Sequence, residues 1–218
     1  PADIEILCAT SYSISVLDSK LRVLCNIKLP NSVHSSIPFN GGIISAVTDN
    51  TGNKNYKLYF GSKETPAKEV LCEVTYFHDY PDTAVGASGS TVATISGLNE
   101  HNHILKIYYF TGKQFSHLFD IQLEDMQQPH CVCVMNDDFV LVTDHKQGEL
   151  RKYQAQANSK PVWVAKGLRS PHGVSYCPDS DLIYTSSPYG KGIYVHTSEG
   201  KEICCGSCSL RLNVNTIK

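Results

Sequence analysis

Three stretches of the chain, YPDTAVGASGSTVATIS, QPHCVCVMNDDFVLVTD and SPHGVSYCPDSDLIYTS, repeat a Pro-X step followed by an apolar strand. The prolines are Pro81, Pro129 and Pro171, separated by 48 and 42 residues, a spacing that belongs to repeat architectures. A unit of this kind cannot bury both faces alone, so its stability must come from stacking against its neighbours. The residue after each proline is Asp82, His130 or His172, so one structural column carries side chains able to bind a ligand.

The units share an internal order: a strand at the Pro step, an apolar strand, a polar turn, a third strand, a short turn and a fourth. In the unit that starts at Pro129 these pieces are Phe139 to Thr143 with Asp144, the turn HKQGE, Leu150 to Tyr153, and Pro161 to Ala165. In the next they are Leu182 to Thr185, SSPYGKG, Ile193 to Val195, and Glu202 to Cys205. Gly and Asn gather in the connections, where positive φ or an Asx-turn is useful. The unit before offers Val92 to Ile95, Ile104 to Phe110 and Ser116 to Ile121. Two fainter copies precede it. One has Ile43 to Thr48, Tyr56 to Phe60 and Val70 to Val74. The other has Ile6 to Ala9, Ile14 to Leu17 and Leu21 to Ile27, and lacks a first strand. Residues 209 to 216 fall where that strand is needed.

The expectation is therefore an all-β fold, a β-propeller of five four-stranded blades. Residues 1–218 form a single domain, and the ring is closed by pairing of the C-terminal strand with the N-terminal blade. Twelve Tyr and frequent Val, Ile and Thr agree with strands. A two-sheet sandwich would not bring a Pro-X step back in register.

At SPHGVSYCPDSDLIYTSSPYGKGIYVHTSEGKEI the chain resembles an NHL repeat, with its Pro-x-Gly-Val, acidic turn, Ile-Tyr, polar turn, Ile-x-Val and Gly-Lys. Residues 129 to 163, with VTDHKQGELRKY, are similar in a more divergent way. The resemblance implies a propeller and several function classes. Related propellers end tripartite-motif ubiquitin ligases, where they bind protein or RNA. Others are amidating lyases and lactonase-type hydrolases, with a metal at the mouth of the channel. This chain carries no RING, B-box or coiled-coil segment, so a stand-alone propeller is expected.

In a propeller the innermost strands line the axis, which would bring Asp82, His130 and His172 together. Two imidazoles and a carboxylate can hold a divalent ion (Zn, Fe, Mn or Ca) facially and leave positions open for water or substrate. His34, in NSVHSSIPF, is the fourth candidate of that ligand column. The plainer alternative is that a His after Pro hydrogen-bonds the backbone of a neighbouring blade. Lys146, Arg151 and Lys152 open a basic stretch near Tyr153 and Trp163, the pattern of a nucleic-acid contact. On a strand, though, Arg151 and Lys152 point to opposite faces. The charge is uneven: residues 1 to 145 hold nine Lys/Arg against sixteen Asp/Glu, and residues 146 to 218 hold ten against five.

Other chemistries find little support. There is no phosphate-binding G-x-x-x-x-G-K-S/T loop, GASGS departs from the G-x-S-x-G elbow, and Cys205-x-x-Cys208 lacks a second cysteine pair. Nine cysteines and no Asn-X-Ser/Thr sequon favour a cytoplasmic setting with unpaired thiols, the alternative being a secreted, disulfide-bonded form. No apolar run reaches the length of a membrane span, and the first residues do not read as a signal peptide. The leading functional expectation is a recognition propeller, binding a protein, small molecule or glycan through loops at one mouth. A metal-dependent hydrolase or lyase using Asp82, His130 and His172 is the second, and RNA binding the third, so enzyme activity stays open.

Overall fold

The computed structural model describes residues 6–9, 12–18, 20–30, 33–39, 41–48, 55–62, 68–75, 85–99, 102–111, 114–190 and 192–206. These form five antiparallel sheets in chain order. The first has three strands, β1 (Ile6–Ala9), β2 (Ser13–Leu17) and β3 (Val23–Lys28). The second comprises β4 (Val33–Phe39), β5 (Gly42–Thr48), β6 (Asn55–Ser62) and β7 (Lys68–Thr75). The third comprises β8 (Val85–Ser88), β9 (Thr91–Asn99), β10 (Asn102–Phe110) and β11 (Phe115–Gln122). The fourth holds β12 (Pro129–Met135), β13 (Phe139–Asp144), β14 (Glu149–Gln154) and β15 (Pro161–Lys166). The fifth holds β16 (Val174–Cys177), β17 (Leu182–Ser187), β18 (Gly192–Thr197) and β19 (Glu202–Gly206).

Each four-stranded sheet is a meander, and its first strand lies at one edge. Those first strands are neighbours across the sheets: β4 lies against β8, β8 against β12, and β12 against β16. They surround a cavity of about 450 Å³ walled by Ser35 and Ser36 of β4, Gly86 and Ala87 of β8, Cys131 of β12, and Gly173 and Ser175 at β16. This is the arrangement of a β-propeller, with small side chains beside Ile37, Val132 and Val174 where the strands converge. Glycine is required at one of these places: a Cβ on Gly86 would come within 2.8 Å of the Val132 carbonyl oxygen.

The sheets hold together through cores between neighbours, as units that cannot bury both faces alone must. The second, third and fourth share the largest core, with Ile44, Leu58, Ile95, Leu105, Val140 and Tyr153 all fully buried. There Phe39 meets Phe110 edge-on at 5.3 Å, and Phe110 meets Phe115 at 4.7 Å, spacings at which aromatic pairs attract. Leu141, Leu150, Ile183 and Tyr194 close the space between the fourth and fifth sheets. Between the cores β13 is buried on both faces, every residue after Phe139 being buried, whereas β17 of the fifth sheet alternates buried with exposed residues. The outermost strands β15 and β19 face solvent through most of their residues.

The strand count departs from the expectation of five four-stranded blades. Four are complete among the described residues, and the first sheet has three strands. Residues 209 to 216, expected to close the ring, lie outside the described residues. Leu21, read from the sequence as a strand residue, sits instead in a turn with φ of 62°, where Asp18 Oδ1 accepts the backbone N–H groups of Lys20 and Arg22. Among the described residues no helix is long and apolar enough to cross a membrane.

Candidate functional site

Pro129 opens β12 directly opposite Asp144, the last residue of β13. Antiparallel pairing thus returns the end of β13 to the mouth from which β12 descends. Asp144 is fully buried and organises both connections there. Its Oδ2 accepts the Gln127 N–H at 2.7 Å, and its Oδ1 accepts those of Gln128, Lys146 and Gln147 at 3.2, 3.0 and 2.9 Å. A carboxylate is the side chain for this task, since it only accepts and has lone pairs for four donors. The Gln128 carbonyl in turn accepts the His145 N–H at 2.9 Å, which sets His145 beside the start of β12.

The entry to the fifth sheet is fixed by a second set of bonds. His172 N–H donates to the Ser186 carbonyl at 2.9 Å, and Gly173 N–H to the Ser186 hydroxyl at 2.9 Å. Thr143 ties this entry to the previous blade. Its hydroxyl donates to the His172 carbonyl at 3.0 Å and accepts the Cys131 N–H at 3.0 Å. The outcome is a cluster of three imidazoles from two adjacent blades. His130 and His172 lie 4.4 Å apart between ring centroids, His145 and His172 4.6 Å, and His130 and His145 5.4 Å. His130 is buried, His145 and His172 are half-buried, and Tyr189 stands 6.1 Å from His172 with 70% of its surface exposed. Lys146 and Arg169 are exposed close by in the chain. Arg169 is anchored by its carbonyl, which accepts the Ser187 hydroxyl.

Two of the expected column residues, His130 and His172, are thus brought together. Asp82 lies outside the described residues, and of His34 only the backbone, within β4, is described. No group of three or more His, Cys, Asp or Glu among the described residues is disposed to hold a metal ion.

The expected nucleic-acid residues are not brought to a common surface. Lys146 is exposed in the turn, but Arg151 and Lys152 are only 7% and 8% exposed, on opposite faces of β14. Arg151 pairs with Glu149 at 2.7 Å and donates to the Glu124 carbonyl and Gln147 Oε1. Burial opposes ionisation of Glu149, but the hydrogen bonds and charges of Arg151 and Lys166 outweigh it and hold that carboxyl below its ordinary range. Lys152 lies 4.1 Å from the centre of the Phe139 ring and donates to the Ser198 carbonyl of the next sheet at 3.0 Å. Trp163 donates to that same carbonyl at 3.1 Å. These cations serve the junction between blades.

His145 and Asp144 are the site residues that the Pro-X column does not reveal. The signal for them was the strand ending VTD. In a meander the residue after the second strand returns to the start of the first, so the His after VTD belongs to the mouth.

No protein-family model and no curated protein matches the chain. Solved structures do. Hsv2 of Kluyveromyces lactis shares 11% identity with a TM-score of 0.60, over 90% of this chain and 59% of Hsv2. Streptogramin B lyase shares 16% with a TM-score of 0.58, over 93% of this chain and 65% of the lyase. The luciferin-regenerating enzyme shares 11% with a TM-score of 0.65, over 93% and 76%. The chain therefore spans about three fifths of the length of Hsv2 and 65% of that of the lyase. At these identities the likeness establishes the architecture: the chain folds as a β-propeller.

Proposed function

We propose that this protein is a recognition propeller that binds a ligand through an acidic group at the mouth formed by His130, His145 and His172. The observation that carries the reading is the packing of three imidazoles within 4.4 to 5.4 Å at the entry of adjacent blades. Imidazole N–H groups donate to carboxylate or phosphate oxygens, and the exposed Lys146 and Arg169 add positive charge at the rim. Tyr189 supplies an aromatic surface at the edge. The ring signals of His145 and His172, followed by NMR, are expected to shift saturably on addition of acetate or inorganic phosphate, and the response should disappear in His172→Ala. Rings that stay still while the protein is folded would remove the reading.

A metal-dependent hydrolase or lyase is the second reading, favoured by the closeness of His130 to His172. It requires Asp82 as third ligand, and the ion would polarise a carbonyl or activate water. Stoichiometric metal in the purified protein, lost in both His130→Ala and His172→Ala, would support it over simple recognition.

A further inference from the structure

The β2–β3 hairpin of the first sheet carries consecutive exposed residues from Lys20 to Leu24. Among them Leu21, Val23 and Leu24 leave 60%, 63% and 48% of their surface to solvent. No other four-residue stretch among the described residues exposes three large apolar side chains. Exposed apolar residues scattered singly need no explanation, but a contiguous set marks an interaction site.

Two further features set this tip apart. Leu21 holds a φ of 62°, a left-handed conformation that glycine takes freely and leucine takes only at a cost. The turn fixes it there: the Leu21 N–H donates to the Asp18 carbonyl, and the Arg22 carbonyl accepts the Asp18 N–H. A bulky apolar side chain on such a backbone, turned outward, adds nothing to the core, so its use lies outside the fold. Neighbours along a strand point to opposite faces, yet Val23 and Leu24 are both exposed. The hairpin end therefore projects clear of the sheet with apolar groups on both sides. A folded partner covers one face of such a tip, whereas a fluid apolar medium covers both. Charge then selects the medium. Asp18, the only acid from residue 17 to residue 24, is buried and fully engaged. Its Oδ1 accepts the backbone N–H groups of Lys20 and Arg22, and its Oδ2 accepts Arg22 Nε at 2.7 Å. What the tip presents outward is Lys20 and the exposed stem of Arg22. Basic heads on long stems beside apolar groups match an anionic headgroup layer above hydrocarbon.

We propose that this hairpin tip docks the protein on an anionic lipid surface. Leu21, Val23 and Leu24 enter the boundary between headgroups and acyl chains, and Lys20 and Arg22 rest among the headgroups. Leu21 to Leu24 covers about 10 Å of extended chain, and apolar groups held at such a boundary reach roughly 5–10 Å into it. Asp137, Asp138, Asp179 and Asp181 are exposed in turns of the fourth and fifth sheets. Their charge keeps those turns off an anionic surface, so contact is confined to the first-sheet hairpin. Neither this contact nor the histidine mouth depends on the other.

Cosedimentation of the whole chain with mixed phosphatidylserine–phosphatidylcholine vesicles, and with pure phosphatidylcholine vesicles, tests it. The mixed vesicles are expected to bind the protein, and the pure ones about fivefold more weakly. Leu21→Gly should weaken binding to the mixed vesicles about tenfold. Because glycine suits the φ at that position, the same variant should resist urea at least as well as the parent, which separates lost docking from lost folding. Spin-labelled lipid in the mixed vesicles should broaden the methyl signals of Leu21, Val23 and Leu24 and spare those of the buried Leu141 and Leu150. A folded protein that ignores both kinds of vesicle overturns the proposal and leaves the tip to a protein partner. Binding unchanged in Leu21→Gly, or tip methyls untouched by the spin label, overturns it as well.

Discussion

Replacing Asp144 tests the wiring of the mouth most sharply, because one buried carboxylate serves four backbone donors in two connections. Asp144→Asn preserves shape and allows the remaining oxygen to keep the three bonds now made by Oδ1. The new NH₂ then confronts the Gln127 N–H, the donor held at 2.7 Å, so one charge-assisted bond is lost and two donors face each other. Breaking a single buried pairing of this kind costs about 1–3 kcal/mol. Asp144→Ala strands all four donors. Water can reach part of this surface turn, so the losses do not add fully, and about 4 kcal/mol is expected. Against a total stability of roughly 5–15 kcal/mol the difference is easily seen by urea unfolding. Amide exchange should locate it. Asp144→Asn should accelerate Gln127 above all, whereas Asp144→Ala should also release Gln128, Lys146 and Gln147. Equal costs for the two variants, or a cost below about 0.5 kcal/mol for the alanine, would mean that Asp144 does not hold the two connections together.

The pH response of stability should carry the signature of His196, which is 1% exposed with an Nδ1 that makes no hydrogen bond. Burial pushes its imidazole below the ordinary value of 6.5, with Glu202 acting weakly the other way. Above that value neither folded nor unfolded chain binds the proton. As pH falls below it, the unfolded chain takes up a proton that the folded one resists, so stability declines by up to about 1.4 kcal/mol per pH unit. His196→Gln should flatten the acid side of the profile measured by denaturant titration, and an unchanged slope would contradict the assignment. Arg151→Met should cost about 3–5 kcal/mol by leaving Glu149 buried without its main partner, while Arg151→Met with Glu149→Leu should recover most of it. If the double variant is as unstable as the single one, the pair is not the source of the loss.

Much of this arrangement was legible in the sequence because meander repeats write their geometry into spacing. Pro129 is the first residue of β12 and Pro171 lies three residues before β16, and that recurrence alone paired His130 with His172. The strand reading at Phe139, Pro161, Leu182 and Glu202 matches the observed starts of β13, β15, β17 and β19. His145 was hidden because it occupies a turn, where a polar residue looks unremarkable until the return of β13 to the start of β12 is considered. Arg151 and Lys152 looked available because alternation along a strand reports which face a side chain takes, but not what covers that face. Their coverings, Glu149 two residues back and the Ser198 carbonyl from another blade, are a local and a distant contact. Only the local one could be found from spacing.

Entries of adjacent blades bring His130, His145 and His172 into contact at one mouth. Ring-proton NOEs in a histidine- and phenylalanine-labelled sample test it directly, with the Phe110–Phe115 pair at 4.7 Å as an internal standard. Cross-peaks between His172 and both His130 and His145 are expected, of intensity comparable to the phenylalanine pair. Strong Phe110–Phe115 cross-peaks with none among the three histidines would contradict it.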